Sequence, residues 1–327
     1  MAELDRDTCR SLWQIMNRIR AFDLRVSALA ASGQIPGYAH TYSGEEAVAC
    51  GVIPLLRPDD WITSTYRNHG HSIARGVSLE QLAAELMGRA TGVCHGVGGS
   101  MHSVDQSLRM IGGMGIVAGG LPLAVGAAWG ASLQGRDEIA VGFFGDGAVH
   151  QGTWHEAVDF AALFRVPVLF VCENNLYAET TATSYHLRTE TVAEMMGPYG
   201  VQAQTVDGMD VMAVREATAA AISEVRHHRR PFLLEALTYR YGGQYEGDTQ
   251  TYKPPSEVEY WLARDPLPAF RTRAEEAGWL GARELEEIAA GATAEVEAAF
   301  RTADAAPWPE AGSVWTTVYT TYATEVK

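Results

Sequence analysis

The chain lacks any run approaching the ~18 consecutive apolar residues that a membrane-spanning helix requires, which gives a membrane no expected role. Its first residues, MAELDRDTCRSLWQIMNRIRAFDLR, carry neither the apolar core of a signal peptide nor a clean transit-peptide character, so the cytoplasm is the expected location. Cysteine is scarce. Cys9, Cys50, Cys94 and Cys172 are scattered without a CxxC pair, which suits idle thiols in a reducing compartment better than a disulfide framework. Excess positive charge is also missing: a formal net charge of −15 would repel a nucleic-acid backbone, and no nucleic-acid partner is expected. No repeat period and no linker rich in Pro, Gly or Ser divides the 327 residues, so they read as one domain.

What is present points to a loop-rich α/β enzyme: 47% hydrophobic residues, and 33 glycines against 13 prolines. Residues 5 to 32 read as an amphipathic helix, with Leu12, Ile15, Met16, Ile19, Phe22 and Val26 at helical spacing and Gly33 placed to stop it. A glycine-punctuated stretch follows from Gly37 to Gly115, with a helical segment around Leu79 to Met87. The small-residue run Ile116 to Leu133 suggests a buried helix whose Gly and Ala face lets another backbone approach, through ordinary packing or a subunit contact. Glu138 to Phe144 reads as a strand, Trp154 to Phe164 as a helix and Val166 to Cys172 as a second strand, a unit of parallel-sheet type. Further strands are expected at Gln202 to Val206 and Phe232 to Thr238, with a helix from about Val211 to His228 between them. This alternation predicts a doubly wound parallel sheet with helices on both faces. A helical extension is expected over about 256 to 327.

The punctuation of the central unit carries the chemistry. Its first strand ends in Gly145, Asp146 and Gly147, its second in Glu173, Asn174 and Asn175. Both clusters fall at carboxyl ends of neighbouring strands, where open α/β sheets place ligands. The Asp146 carboxylate and the Asn175 amide oxygen are hard oxygen ligands suited to Mg²⁺, which takes few protein groups and completes its octahedron with water and phosphate oxygens. Gly145 and Gly147 permit a tight turn, and the following helix can aim N–H groups at a diphosphate. The site should hold a metal-bridged diphosphate. A zinc site built from Cys94, His69, His71, His95 and His102 lacks the spacing of a closed site. The segment GMGIVAG lacks the preceding strand and the acidic residue of a nicotinamide-dinucleotide fingerprint.

GDG followed by Ala148, Gln151 and Gly152, with NN after the second strand, is similar to the thiamine diphosphate signature. Upstream, GQIPGYAHTYSGEEAVACG, RPDDWITSTYRNHGHSIARG and GVGGSMH resemble segments of the α subunits of two-chain 2-oxo acid dehydrogenases, the pyruvate, branched-chain and acetoin types. That resemblance implies thiamine diphosphate and Mg²⁺ as cofactors, with Asp146, Asn175 and the Tyr177 carbonyl as metal ligands. It places Tyr66 and Arg67 on the diphosphate, Gly115 and Val117 beside the aminopyrimidine, and Gly147 and Ala148 against the cofactor. His40, His69 and Gln244 become the candidate catalytic residues, His40 facing the substrate. It also implies a β chain carrying the activating glutamate in an α₂β₂ assembly, a small 2-oxo acid or acyloin substrate, and a lipoyl-bearing acyltransferase as acceptor.

The chain departs from the resembling enzymes at one loop. Where the pyruvate type reads approximately YRYHGHS, this sequence has Tyr239, Arg240, Tyr241, Gly242, Gly243, Gln244 and Tyr245, so neither histidine is present. The run from Glu246 to Tyr252 looks more like the acetoin type, which normally keeps the histidine that Gln244 replaces. Glutamine donates a hydrogen bond but shuttles no proton near neutral pH. The leading expectation is the α subunit of an acyl-transferring dehydrogenase. A carboligase or non-oxidative decarboxylase on the same scaffold is the alternative, and a non-catalytic regulatory subunit is disfavoured by the intact metal and diphosphate residues.

Overall fold

Alternation within three apolar strands builds the centre of the molecule. The computed structural model describes residues 5–313, so the end of the expected C-terminal extension lies outside the described residues. Strands β1 (Trp61–Thr63), β2 (Met110–Gly112), β3 (Ala140–Gly145) and β4 (Val168–Asn174) precede a short antiparallel pair, β5 (Tyr177–Ala178) and β6 (Thr181–Ala182). Strands β7 (Gln202–Asp207) and β8 (Phe232–Leu237) complete a parallel six-stranded sheet of order β2-β1-β3-β4-β8-β7.

Val141 and Phe143 on β3, Leu169 and Val171 on β4 and Leu234 on β8 enter one apolar cluster, whereas Ala140, Phe144, Val168, Phe170 and Leu233 enter another. Side chains two apart share a face, so both faces are buried and both need helices. The first face is covered by α1 (Arg6–Ala31), α2 (Glu46–Val52), α3 (His69–Arg75) and α4 (Leu79–Leu86) together with C-terminal helices; the second by α5 (Gly120–Leu133) and α6 (Gly152–Leu163). After a single turn, α7 (Thr183–His186), come α8 (Val211–His228), α9 (Pro255–Leu262), α10 (Pro266–Glu276) and α11 (Ala282–Ala305). Phe143 and Phe170 are buried in these layers. Truncating either to alanine would cost about 3–5 kcal/mol by the usual cavity relation.

Local chemistry sets several boundaries. The Asp5 carboxylate accepts from the Thr8 amide at 2.8 Å and starts α1, and Asp210 caps α8 through Met212 and Ala213. The helix expected from Ile116 begins only at Gly120, because Ala118 adopts a left-handed φ of 64° in the preceding turn. Its Gly126 and Gly130 face open space, with Leu123 and Leu133 exposed on the same helix. Gly51 of α2 is needed where it stands: a Cβ there would lie 2.5 Å from Val214 Cγ1 of α8. Among the described residues no helix is long and apolar enough to cross a membrane.

Candidate cofactor site

The register of β3 and β4 pairs Gly145 with Glu173, so the two polar clusters leave the sheet side by side. Above them lies an open cleft, bounded by Tyr66 and Arg67 after β1, Val117 before α5, Asp146 to Ala148 after β3, and Asn175, Tyr177 and Ala178 after β4. The polypeptide is tight here. A Cβ on Gly147 would lie 2.6 Å from that of Ala178, so only glycine lets the turn after β3 meet the β5–β6 pair.

Asp146 is 1% exposed, and its Oδ2 accepts from His186 Nε2 at 3.2 Å. Asn175 Nδ2 donates to Glu45 Oε1 at 2.8 Å. Asp146 Oδ1, Asn175 Oδ1 and Glu45 Oε2 are buried without a hydrogen-bond partner. Leaving such groups unsatisfied costs ~1–3 kcal/mol each, so a set of hard oxygens at one cleft fits a small divalent cation. The Tyr177 carbonyl accepts from Arg240 Nη1 at 3.1 Å and keeps a second lone pair. Arg67, buried at the cleft wall, donates to the Thr41 carbonyl and, at 3.1 Å, to the Gln244 carbonyl. It offers positive charge to an anion from a side chain already fixed in place.

Glu45 and Glu173 meet at the floor. Burial first, then the charge of Glu173, pushes the Glu45 carboxyl up to about 8. Glu173 accepts from the Tyr42 hydroxyl and from His71 Nε2 at 2.9 Å, while His71 Nδ1 takes the Ser64 hydroxyl at 2.6 Å.

Two further sequence-predicted residues, His40 and Gln244, do not line the cleft but stand behind its wall, against Tyr66 and Arg67. His40 Nδ1–H donates to the Gln244 carbonyl at 2.6 Å, and the His40 ring lies 4.6 Å from that of Tyr66. Burial first, then Arg67, pushes His40 down to about 4, so near neutrality it is an uncharged imidazole with Nε2 as acceptor. The Gln244 side chain is locked: Nε2 donates to the Tyr66 hydroxyl at 2.9 Å and Oε1 accepts from Arg240 at 3.1 Å. Its loop is tied by Lys253, whose ammonium donates to the carbonyls of Arg240 and Gly242 at 2.8 and 2.6 Å and to Gln250 Oε1 at 3.1 Å. Burial and the nearby Arg240 and Arg67 push that ammonium down to about 7.

His69 and Gly115 do not line the cleft. Fully buried, His69 binds Asp23 through Nδ1 at 2.8 Å and Ser100 through Nε2 at 2.9 Å, which ties α1 to the loop before β2. Gly115 abuts His102, where a Cβ would lie 2.8 Å from Nε2. Residue patterning gave no role to Glu45, Glu173 or His186. Glu173 had one signal, an acid closing an apolar strand just before Asn174; His186 had none.

These features define an α/β protein whose strand ends gather unpartnered buried oxygens and a buried guanidinium around one cleft of a doubly wound sheet. Residues 14–312 match the sequence profile of the dehydrogenase E1 component, and the chain belongs to that family. The family implies thiamine diphosphate as cofactor. The chain is 42% identical to the α subunit of acetoin:2,6-dichlorophenolindophenol oxidoreductase of Bacillus subtilis (strain 168), over 96% of this chain and 94% of the relative. The Cupriavidus necator protein of the same description is 39% identical, over 98% and 96%. The pyruvate dehydrogenase E1 component α subunit of Rhizobium meliloti (strain 1021) is 35% identical, over 88% and 83%.

Proposed function

We propose that this chain is the α subunit of a thiamine diphosphate-dependent acyl-transferring dehydrogenase of the acetoin type, working with a β chain in an α₂β₂ assembly. The carrying observation is the pair of buried, unpartnered oxygens on Asp146 and Asn175 beside Arg67, in a chain whose acetoin relatives align over nearly its whole length. Asp146, Asn175 and the Tyr177 carbonyl hold Mg²⁺, and Arg67 and Tyr66 hold the diphosphate. When bound, the cofactor supplies the electron sink for cleaving a C–C bond next to a carbonyl. The chain's own groups position and polarise: neutral His40 accepts a hydrogen bond at Nε2, and Gln244 donates one without moving a proton. The exposed face of α5 around Gly126 and Gly130 suits close approach of another helix. The β chain provides the activating glutamate, and a lipoyl-bearing acyltransferase is the proposed acceptor.

The locked Gln244 side chain favours a second reading, in which the acyl unit is captured by an aldehyde and the enzyme is a carboligase. One experiment separates them. The chain, co-expressed with its β partner, is incubated with acetoin and candidate 2-oxo acids, with and without lipoamide or an artificial dye acceptor, and products are followed by mass spectrometry. Acyl-lipoamide or dye reduction supports the dehydrogenase; an acyloin newly formed from a 2-oxo acid, with neither of these, supports the carboligase. Asp146→Ala should abolish cofactor binding in calorimetry of the assembled variant, and unchanged affinity would overturn the metal assignment.

A further inference from the structure

Each of the two free oxygens in the cleft is backed by a neighbour holding the other end of the same group. Asp146 gives Oδ2 to His186 Nε2 at 3.2 Å and leaves Oδ1 buried without a partner. Asn175 gives Nδ2 to Glu45 Oε1 at 2.8 Å and likewise leaves Oδ1 buried and free. His186 comes from the single turn α7 and its side chain is 10% exposed; Glu45, just before α2, is fully buried. The partner of each ligand thus comes from a different segment of the chain.

We propose that His186 and Glu45 are positioning residues for a divalent cation held by Asp146 and Asn175, an inference that rests on the cation reading above. The need is clearest for Asn175. Its amide has two nearly isosteric ends, and a half-turn would present the NH₂ hydrogens to the cation instead of the oxygen. Glu45 Oε1 takes the amide nitrogen at 2.8 Å, and this hold on the nitrogen end leaves the oxygen end facing the cleft. At Asp146 the same end is reached in series. His150 Nε2 lies 2.9 Å from His186 Nδ1. His150 donates to that nitrogen, which leaves the His186 proton on Nε2, facing the carboxylate. Groups that orient metal ligands in this way typically change metal affinity ~10–100-fold when removed.

The test measures Mn²⁺ binding by electron paramagnetic resonance of free Mn²⁺, on the assembled enzyme with thiamine diphosphate present and no substrate. His186→Ala and Glu45→Ala should each weaken Mn²⁺ binding ~10–100-fold, and His186→Gln, which restores an N–H donor, should recover most of the loss. Melting of the cofactor-free enzyme should be unchanged in His186→Ala. If Glu45→Ala lowers that melting temperature, the two His186 variants decide the matter. Wild-type enzyme without saturable Mn²⁺ binding would sink the cation reading itself. Saturable binding in wild type, with His186→Ala within about threefold of it, would overturn the positioning proposal alone.

Discussion

His40 is a neutral imidazole across the physiological range, and this has a measurable price in acid. Its ordinary pKa of 6.5 is pushed down to about 4 by burial and by the Arg67 guanidinium. A histidine whose folded pKa lies below its unfolded value binds fewer protons when folded, so stability rises with pH between the two values and is lost as pH falls from 6.5 toward 4. At ~1.4 kcal/mol per unit, the full window corresponds to about 3 kcal/mol, of which about 2 kcal/mol is lost between roughly pH 7 and roughly pH 5. His40→Asn keeps an N–H donor for the Gln244 carbonyl and removes the titration. Urea unfolding of the assembled wild type and variant, at one fixed protein concentration and at both pH values, isolates the contribution as a difference of differences. Wild type should lose on the order of 2 kcal/mol more than the variant on acidification. Equal losses would mean that His40 is solvated and protonates normally, and its assignment as a neutral acceptor near the substrate would fall with it.

Three further outcomes are expected. Gly147→Ala forces a Cβ to within 2.6 Å of the Ala178 Cβ, so calorimetry should show weaker thiamine diphosphate binding, with ~1–3 kcal/mol of overpacking strain visible as a lower melting temperature. Gln244→His should raise acyl transfer to lipoamide by as much as ~10²–10⁴-fold in a rate assay while leaving cofactor affinity unchanged; a variant that gains nothing would mean that another group supplies the proton. Arg67→Lys replaces a fork holding the Thr41 and Gln244 carbonyls with a single ammonium. Cofactor titration should then show weakened binding, and wild-type affinity would argue that Arg67 serves the loop and not the diphosphate.

The long elements were readable because each carries its own signal. β4 is a continuous apolar run, and α8 begins where Asp210 caps it and keeps its apolar face to Val225. β1 and β2 have three residues each and no alternation to read. β1 exists because its neighbours supply a ladder, Trp61 donating to the Ile139 carbonyl. Helix α3, HGHSIAR, has a composition no propensity scale would favour, and it forms around buried His69 and His71 with Gly76 closing it at φ 99°. The site divides the same way. Asp146 and Asn175 were visible because strand ends and glycines mark them, whereas Glu45 and His186 arrive from distant segments and are recognisable only by whom they touch.

The Lys253 ammonium works like the keystone of an arch. Between the end of β8 at Leu237 and the start of α9 at Pro255 there is no helix or strand. Lys253 grips two of its backbone carbonyls, beside the Asp248 carboxylate, which accepts from the Gln244 and Gln250 amides, and the Tyr241 and Glu246 amides, which donate to the Ser43 and Ala39 carbonyls. Because the grip is on main-chain atoms, it is indifferent to the side chains at 242 and 244. The main chain of this loop is therefore held apart from the strand ends at Gly145 and Asn174, by contacts that its own side chains at 242 and 244 do not make.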